Sequence, residues 1–389
     1  MPHDPTAGGY RDENVEALSQ GQRRQGLAPI RGAPIDSGEV SAMRALVYHG
    51  AGRKQWADVP MPEIKDARDA IVRVDAVTIC GTDLHILKGD VPAVTPGRIL
   101  GHEAVGTVES VGAGVGTVKA GQRVLISCIT SCGTCRFCRE GAYGQCLGGG
   151  GWILGHRIDG TQAEYVRVPF ADTSVHALPD GVPNESALLL ADILPTSYEV
   201  GVLNGHVMPG DVVAIIGAGP VGLAAVMTAR LFSPRHILVV DPASPRLDAA
   251  KRFGADLVAR SEQEARDLAS DVTDGLGVDV AIEAVGIPET FELCAALVRP
   301  GGRVANVGVH GRPVTLHLED LWIRNVTITT GLVDTRTTPT LLQMVDSGQL
   351  TADGLITHRF GLGEMLDGYD VFSQASDSGA LKVALFRTD

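Results

Sequence analysis

No apolar stretch in this 389-residue sequence approaches the length of about 18 residues that a membrane-spanning helix requires. The opening residues, Met1 to Gly26, contain no apolar core of the kind a secretory leader needs. Aromatic side chains make up 4%, too few for the stacking platforms that hold single-stranded nucleic acids. Basic residues are short as well: 33 Lys and Arg face 46 Asp and Glu, a formal net charge of −13. Such a surface repels nucleic acid and anionic membrane, so any phosphate site has to be local. No segment repeats another, which sets repeat architectures aside. These absences leave a small molecule as the expected partner.

What is present describes a globular chain, with 44% apolar and 20% charged residues. At ~150 residues per domain, its length suggests two or three domains. Seven cysteines occur, an odd number, and five fall between Cys128 and Cys146. A disulfide framework would spread an even set over a small secreted domain. A clustered odd set in a large acidic chain predicts metal binding in a reducing compartment, the cytoplasm.

Residues 1–42 are rich in Gly, Pro, Gln, Asp and Arg without helical or strand periodicity, which predicts a mobile extension. From residue 43 to 193, short Val/Ile-rich runs (Ala70–Ala76, Gly106–Val111, Arg123–Ser127, Ala163–Val168) alternate with turn residues, as in a β-rich or barrel-like unit. The pattern then changes. Within residues 194–334, Val212–Ile216 is a continuous apolar run, as in a parallel strand covered on both faces. A helical stretch, Val221 to Phe232, follows it. Further apolar runs at His236–Val240, Ala255–Val258, Val278–Ala284, Arg303–Val307 and Thr327–Thr330 alternate with helix-length segments. The fold class expected is α/β, with a doubly wound parallel sheet of the Rossmann type. Residues 335–389, with a helix-like start and a last apolar run at Ala380–Phe386, are assigned back to the first domain.

Gly217-Ala218-Gly219-Pro220-Val221-Gly222 stands between that first strand and its helix, the context in which a GxGxxG turn binds a dinucleotide. Gly217 permits the turn, Gly219 lets the backbone approach the pyrophosphate, and Gly222 allows close helix packing; the helix N-terminus from Pro220 and Val221 offers free N–H groups. Asp241, 24 residues after Gly217, ends the next strand where a carboxylate accepts the ribose 2′-OH. Its charge repels a 2′-phosphate, so NAD is expected over NADP. Cys132, Cys135, Cys138 and Cys146 place four thiolates within fifteen residues, a closed tetrahedral set suited to a structural zinc; an iron–sulfur cluster is the competing reading. Cys80-Gly81-Thr82-Asp83-Leu84-His85 and Gly101-His102-Glu103 lie at strand edges and carry no chemistry on spacing alone.

Taken together and in this order, these motifs resemble the zinc-dependent medium-chain dehydrogenase/reductase family, the alcohol dehydrogenases, over residues 43 to 389. The segments around Gly151–Gly155, Asp159–Tyr165 and Asp192–Thr196 look closest to its formaldehyde-dehydrogenase-like branch. The resemblance implies a GroES-like catalytic domain beside the Rossmann domain, two zinc ions per subunit and NAD. It implies a catalytic zinc held by Cys80 and His102, with Glu103 as an alternating or neighbouring ligand. The family's third ligand, a Cys or Asp just before the dinucleotide domain, falls on Asp192 here. Trading Cys for Asp keeps the ligand charge and replaces a soft donor with a hard one. The implied proton path runs from the alcohol to Thr82 and out through His85, an imidazole suited to relay near neutral pH. Thr196 is expected at the nicotinamide, Arg246 near the adenosine ribose, Val285, Val307 and Val309 along the cofactor cleft, and Lys382 at the pyrophosphate or ribose. Cys128 stands either at the substrate-pocket wall or as a free buried thiol. The activity implied is alcohol oxidation with NAD in a homo-oligomer, dimer or tetramer. The alternatives are a formaldehyde dehydrogenase or aldehyde dismutase holding NAD tightly, and a non-catalytic NAD-binding protein with a structural zinc only.

Overall fold

The computed structural model describes residues 42–388. The expected mobile extension, residues 1–42, lies outside them apart from Ala42. Strands Ala42–Tyr48 and Lys54–Pro60 pair as an antiparallel hairpin. A seven-stranded mixed sheet follows, in the order Ile356–Gly361, Lys382–Phe386, Ala70–Ile79, Ala104–Val111, Arg123–Ile126, Val175–Ala177, while Tyr165–Val168 also pairs with Ala70–Ile79. Two of its strands come from the end of the chain. Ala70–Ile79 is almost wholly buried because it has neighbours on both edges and apolar side chains on both faces.

Register at one end of this sheet decides where chemistry is possible. Thr78 pairs with Ala384 on one side, and Val77 with Ala104 on the other. The residues just past these pairs (Cys80, His102, Glu103 and Lys382) therefore emerge side by side, although the sequence separates them by up to 302 positions. Beyond Cys80 the chain turns into a helix, Gly81–Lys88. The cause is local: the Asp83 carboxylate accepts the Cys80 amide at 2.9 Å and closes the helix start.

The second sheet has six parallel strands in the order Leu257–Ala259, His236–Val240, Val212–Ile216, Val278–Glu283, Val298–Asn306, Thr327–Thr330. The doubly wound parallel sheet is thus present. All five residues of Val212–Ile216 are buried, and the helix Pro220–Arg230 packs down through Leu223, Ala224, Ala225 and Val226. Each fully buried Leu or Ile in this layer contributes about 2 kcal/mol. Val298–Asn306 begins earlier than the expected Arg303–Val307, because Pro300–Gly302 interrupt the register rather than end the strand. A helix with no counterpart among the expectations joins the sheets: Ile193–Thr196 runs into a wider turn, Ser197–Leu203. Buried Glu199 within it accepts the amides of Asp334 (2.9 Å), Thr335 (3.1 Å) and Thr337 (2.8 Å), fastening the point where the chain returns from the parallel sheet.

Candidate active site

Donor atoms of Cys80, His102, Glu103 and Asp192 lie within 4.8 Å of one another. His102 Nε2 is 3.4 Å from Asp192 Oδ2, and Cys80 Sγ is 3.8 Å from the same oxygen. Ligands at ~2.0–2.3 Å around a tetrahedral zinc sit about 3.3–3.8 Å apart, so these three fit the ion without rearrangement. Burial by itself would raise the Asp192 pKa, but the His102 hydrogen bond and charge, the Thr196 hydroxyl and the Lys382 charge hold it well below the usual carboxylate range. For His102 burial works toward a lower value, and Asp192 and Cys80 reverse it to one well above the ordinary imidazole. Both shifts describe one mutually stabilising His102–Asp192 pair in a buried setting.

The surrounding residues fix that cluster. Asp83 Oδ2 accepts Cys80 N and Gln162 Nε2, each at 2.9 Å, and Gln162 Oε1 accepts the Tyr369 hydroxyl at 2.7 Å. Asp83 Oδ1, buried and without a hydrogen-bond partner among the described residues, faces His102 Nδ1 at 3.9 Å, the arrangement that orients a metal-ligating histidine. Motif and spacing give no role to Asp83, Gln162 or Tyr369. Asp83 lies inside the Cys80–His85 motif and Gln162 inside the Asp159–Tyr165 segment, whereas Tyr369 is recognisable only by its burial.

Thr82 Oγ1 lies 3.7 Å from Cys80 Sγ, and half-exposed His85 stands one turn further along the same helix, its Nδ1 2.9 Å from Asp90 Oδ2. Cys128 is buried, 3.6 Å from Asp192 Oδ1, in a small apolar cluster with Ile129, Val200 and Val333, against which Trp152 and Val307 pack. The Trp152 ring meets His102 edge-on at 6.4 Å. The Thr196 hydroxyl donates to Asp192 Oδ1 at 2.5 Å, so it is engaged at the ligand.

Lys382 requires a correction. Expected at the cofactor, it is buried instead, with Nζ 2.6 Å and 2.9 Å from the two oxygens of Glu103. The physical reason is register: Val383 pairs with Ile79, which points the preceding lysine at the metal-site end of the sheet. The Glu103 charge and its hydrogen bond hold the ammonium in its charged form despite burial.

The cofactor region is a cleft of about 840 Å³ along the carboxyl ends of the parallel strands, lined by Gly217, Gly219, Asp241, Arg246 and Val285 among others. Gly217 has φ +104°, and a Cβ on Gly222 would stand 1.9 Å from the Gly217 carbonyl oxygen. A Cβ on Gly219 would meet nothing, which is the open space a pyrophosphate needs. Pro220 begins the helix, and the Val221 carbonyl accepts the Ser197 hydroxyl at 2.7 Å. Asp241 accepts the Ala218 and Ala243 amides, both at 2.9 Å, and Arg246 lies 3.8 Å from its carboxylate. Val285 and Val309 are exposed.

Donor atoms of Cys132, Cys135, Cys138 and Cys146 also gather within 4.8 Å. Sulfur separations of 3.8 Å (Cys132 to Cys138) and 3.4 Å (Cys135 to Cys138) bracket the edge of a tetrahedral tetrathiolate. Slight burial opposes ionisation of Cys132, but amides and the hydroxyl of its own turn bring the thiol down to about 5. All seven cysteines are free.

The chain is similar to known proteins along most of its length. Residues 66–180 match the alcohol dehydrogenase GroES-like domain, and residues 220–347 match the zinc-binding dehydrogenase family. An alcohol dehydrogenase of Cupriavidus necator is 36% identical over 369 residues, 89% of this chain and 99% of that protein. The apo structure of zinc-dependent alcohol dehydrogenase 2 from Streptococcus pneumonia is 49% identical, with a TM-score of 0.85 over 89% of this chain and 99% of its own. A zinc-binding dehydrogenase structure from Sinorhizobium meliloti 1021, bound to NADP, is 29% identical with a TM-score of 0.78 over 89% and 99%. With two clusters of metal-ligand type, a glycine turn beside an open cleft and relatives matching along most of its length, this chain belongs to the zinc-dependent medium-chain alcohol dehydrogenase family.

Proposed function

We propose that the chain oxidises a primary or secondary alcohol with NAD, using a catalytic zinc at Cys80, His102 and Asp192 and a structural zinc at the four clustered cysteines. The observation that carries this is the convergence of Cys80, His102 and Asp192 at tetrahedral spacing beside Thr82. When bound, zinc supplies Lewis acidity that makes an alcohol hydroxyl a far stronger acid, and NAD supplies the hydride acceptor.

The protein's own residues position and move the proton. Thr82 takes it at the start of the helix Gly81–Lys88, beside Cys80, and half-exposed His85, one turn further on, passes it to solvent, with Asp90 holding the ring through Nδ1. Trp152, Cys128 and Val307 keep the surroundings apolar, which strengthens every charge interaction within. Asp241 supports the choice of NAD: each carboxylate oxygen uses one lone pair on a backbone amide and keeps another for a ribose hydroxyl. Its charge also opposes a 2′-phosphate.

The cytoplasm is the proposed location, in keeping with seven free thiols. A homo-oligomer is the proposed assembly: Leu318, Trp322 and Ile323 are exposed just before Thr327–Thr330, one of the two edge strands of the parallel sheet among the described residues, and a second copy would cover these apolar side chains. The test of function is a screen of primary and secondary alcohols and of aldehydes with NAD and with NADP, before and after chelation and zinc return. Zinc-dependent NAD reduction is expected. Turnover of aldehydes alone would establish the formaldehyde dehydrogenase or dismutase alternative, a protein with zinc at the four cysteines and no turnover of any alcohol or aldehyde the non-catalytic one, and a preference for NADP would remove Asp241 as the selector.

A further inference from the structure

We propose that Lys382 is a positioning residue that keeps Glu103 out of the catalytic metal's ligand set. The inference rests on the metal site proposed above and adds a role that the motif residues do not contain. Glu103 stands close enough to bind: its Oε1 is 4.0 Å from His102 Nε2, and its carboxylate shares the 4.8 Å cluster with Cys80 and Asp192. Both of its oxygens nevertheless face another cation. Lys382 Nζ contacts the two at 2.6 Å and 2.9 Å, and the Thr78 hydroxyl donates to Oε2. The pair is almost wholly excluded from solvent, with side-chain exposures of 2% and 1%.

Charge balance gives the arrangement its consequence. In a buried site an uncompensated charge is costly, so a carboxylate there needs a cation or hydrogen-bond donors beside it; Asp83 has the Cys80 amide and Gln162, and Glu103 has Lys382. The Cys80 thiolate and the Asp192 carboxylate together offset one divalent ion, and Lys382 offsets Glu103. Three ligands then hold the metal and one position stays open, the condition for catalysis. Without the lysine charge, Glu103 becomes the surplus anion, and the nearest cation is the metal. A fourth protein ligand would close the site in the manner of the four-cysteine lobe. Lys382 thus decides whether this is a reactive centre or a structural one.

Cobalt replacing zinc makes the ligand set visible in the absorption spectrum, and competition with a chelator gives the rate of metal loss. In Lys382→Met the cobalt spectrum is expected to change, release from this site to slow at least tenfold, and kcat to fall with little change in KM. Lys382→Arg, which keeps the charge, is expected to restore the wild-type spectrum, and so is the double variant Lys382→Met with Glu103→Gln. An unchanged spectrum and release rate in Lys382→Met would overturn the inference. Glu103→Gln alone decides the matter should Lys382→Met not fold: an unaltered cobalt spectrum supports the inference, because Glu103 is then no ligand, and an altered one overturns it. A wild type that takes no cobalt at Cys80, His102 and Asp192 overturns the functional reading along with it, whereas a loaded wild type with an unmoved Lys382→Met spectrum overturns this inference alone.

Discussion

Asp192 is held from two sides. One oxygen faces His102 and Cys80, while the other accepts the Thr196 hydroxyl and approaches the Cys128 thiol. Asp192→Asn keeps the shape and removes the charge that balances the ion. We expect zinc content to fall from two ions to one per chain by elemental analysis, the four-cysteine ion remaining, with alcohol oxidation down at least a hundredfold. His85 acts at the other end of the proton path. His85→Ala should leave both metals bound and slow oxidation roughly tenfold, most strongly below neutral pH, where hydroxide is too scarce to replace the imidazole. Added imidazole should restore part of the rate; a pH–rate profile identical to wild type would take His85 out of the path.

Two elements depend on single close approaches. A Cβ at Gly222 would sit 1.9 Å from the Gly217 carbonyl, which is backbone and cannot rotate away. Gly222→Ala therefore pushes the helix Pro220–Arg230 off the strand Val212–Ile216. The expected cost is about 1–3 kcal/mol in denaturant unfolding, with weaker NAD binding by calorimetry. In the catalytic domain, Asp172 anchors the loop before Arg123–Ile126 by accepting Gly116 N at 2.9 Å, Thr117 N at 2.8 Å and the Thr117 hydroxyl at 2.7 Å. Slight burial works against it, but these bonds lower its pKa in the folded protein. A carboxylate with a depressed folded value stabilises fully above its unfolded pKa of about 3.9 and loses that contribution as pH falls through the folded value. Asp172→Ala should thus be destabilised near neutrality by about 1–2 kcal/mol, and the difference from wild type should shrink below about pH 4. A gap that persists undiminished in acid would assign the effect to packing instead.

At the scale of the whole molecule, apolar side chains beside the last parallel strand are left open to water. Trp322 is 71% exposed and Ile323 69%, next to an edge strand of the sheet. Trp322→Glu would place a charge in any contact made there. Light scattering on the eluting protein should show the wild type as a dimer or tetramer and the variant as a smaller species with its alcohol activity measurable. A variant that elutes unchanged would move the interface elsewhere.

Chemistry carried by neighbours in the chain is legible from the sequence by itself. The Gly217–Gly222 turn and the Cys132–Cys146 run confine their atoms within a few residues, so residue type and spacing already state what they can bind. The apolar run Val212–Ile216 announces a buried parallel strand for the same reason, since five successive apolar side chains leave no wet face. Cys80, His102 and Asp192 stand 22 and 90 residues apart, and only likeness to a family pointed to them as a set. Their proximity depends on pairing across Ala70–Ile79 and on the helix from Ile193, neither of which spacing specifies. Lys382 marks the limit most clearly. By sequence it is one cation in a terminal apolar strand, and likeness alone sent it to the cofactor. The pairing of Val383 with Ile79 turned it toward Glu103 instead, because strand register sets which side chains meet and a slip of one residue would reverse the face.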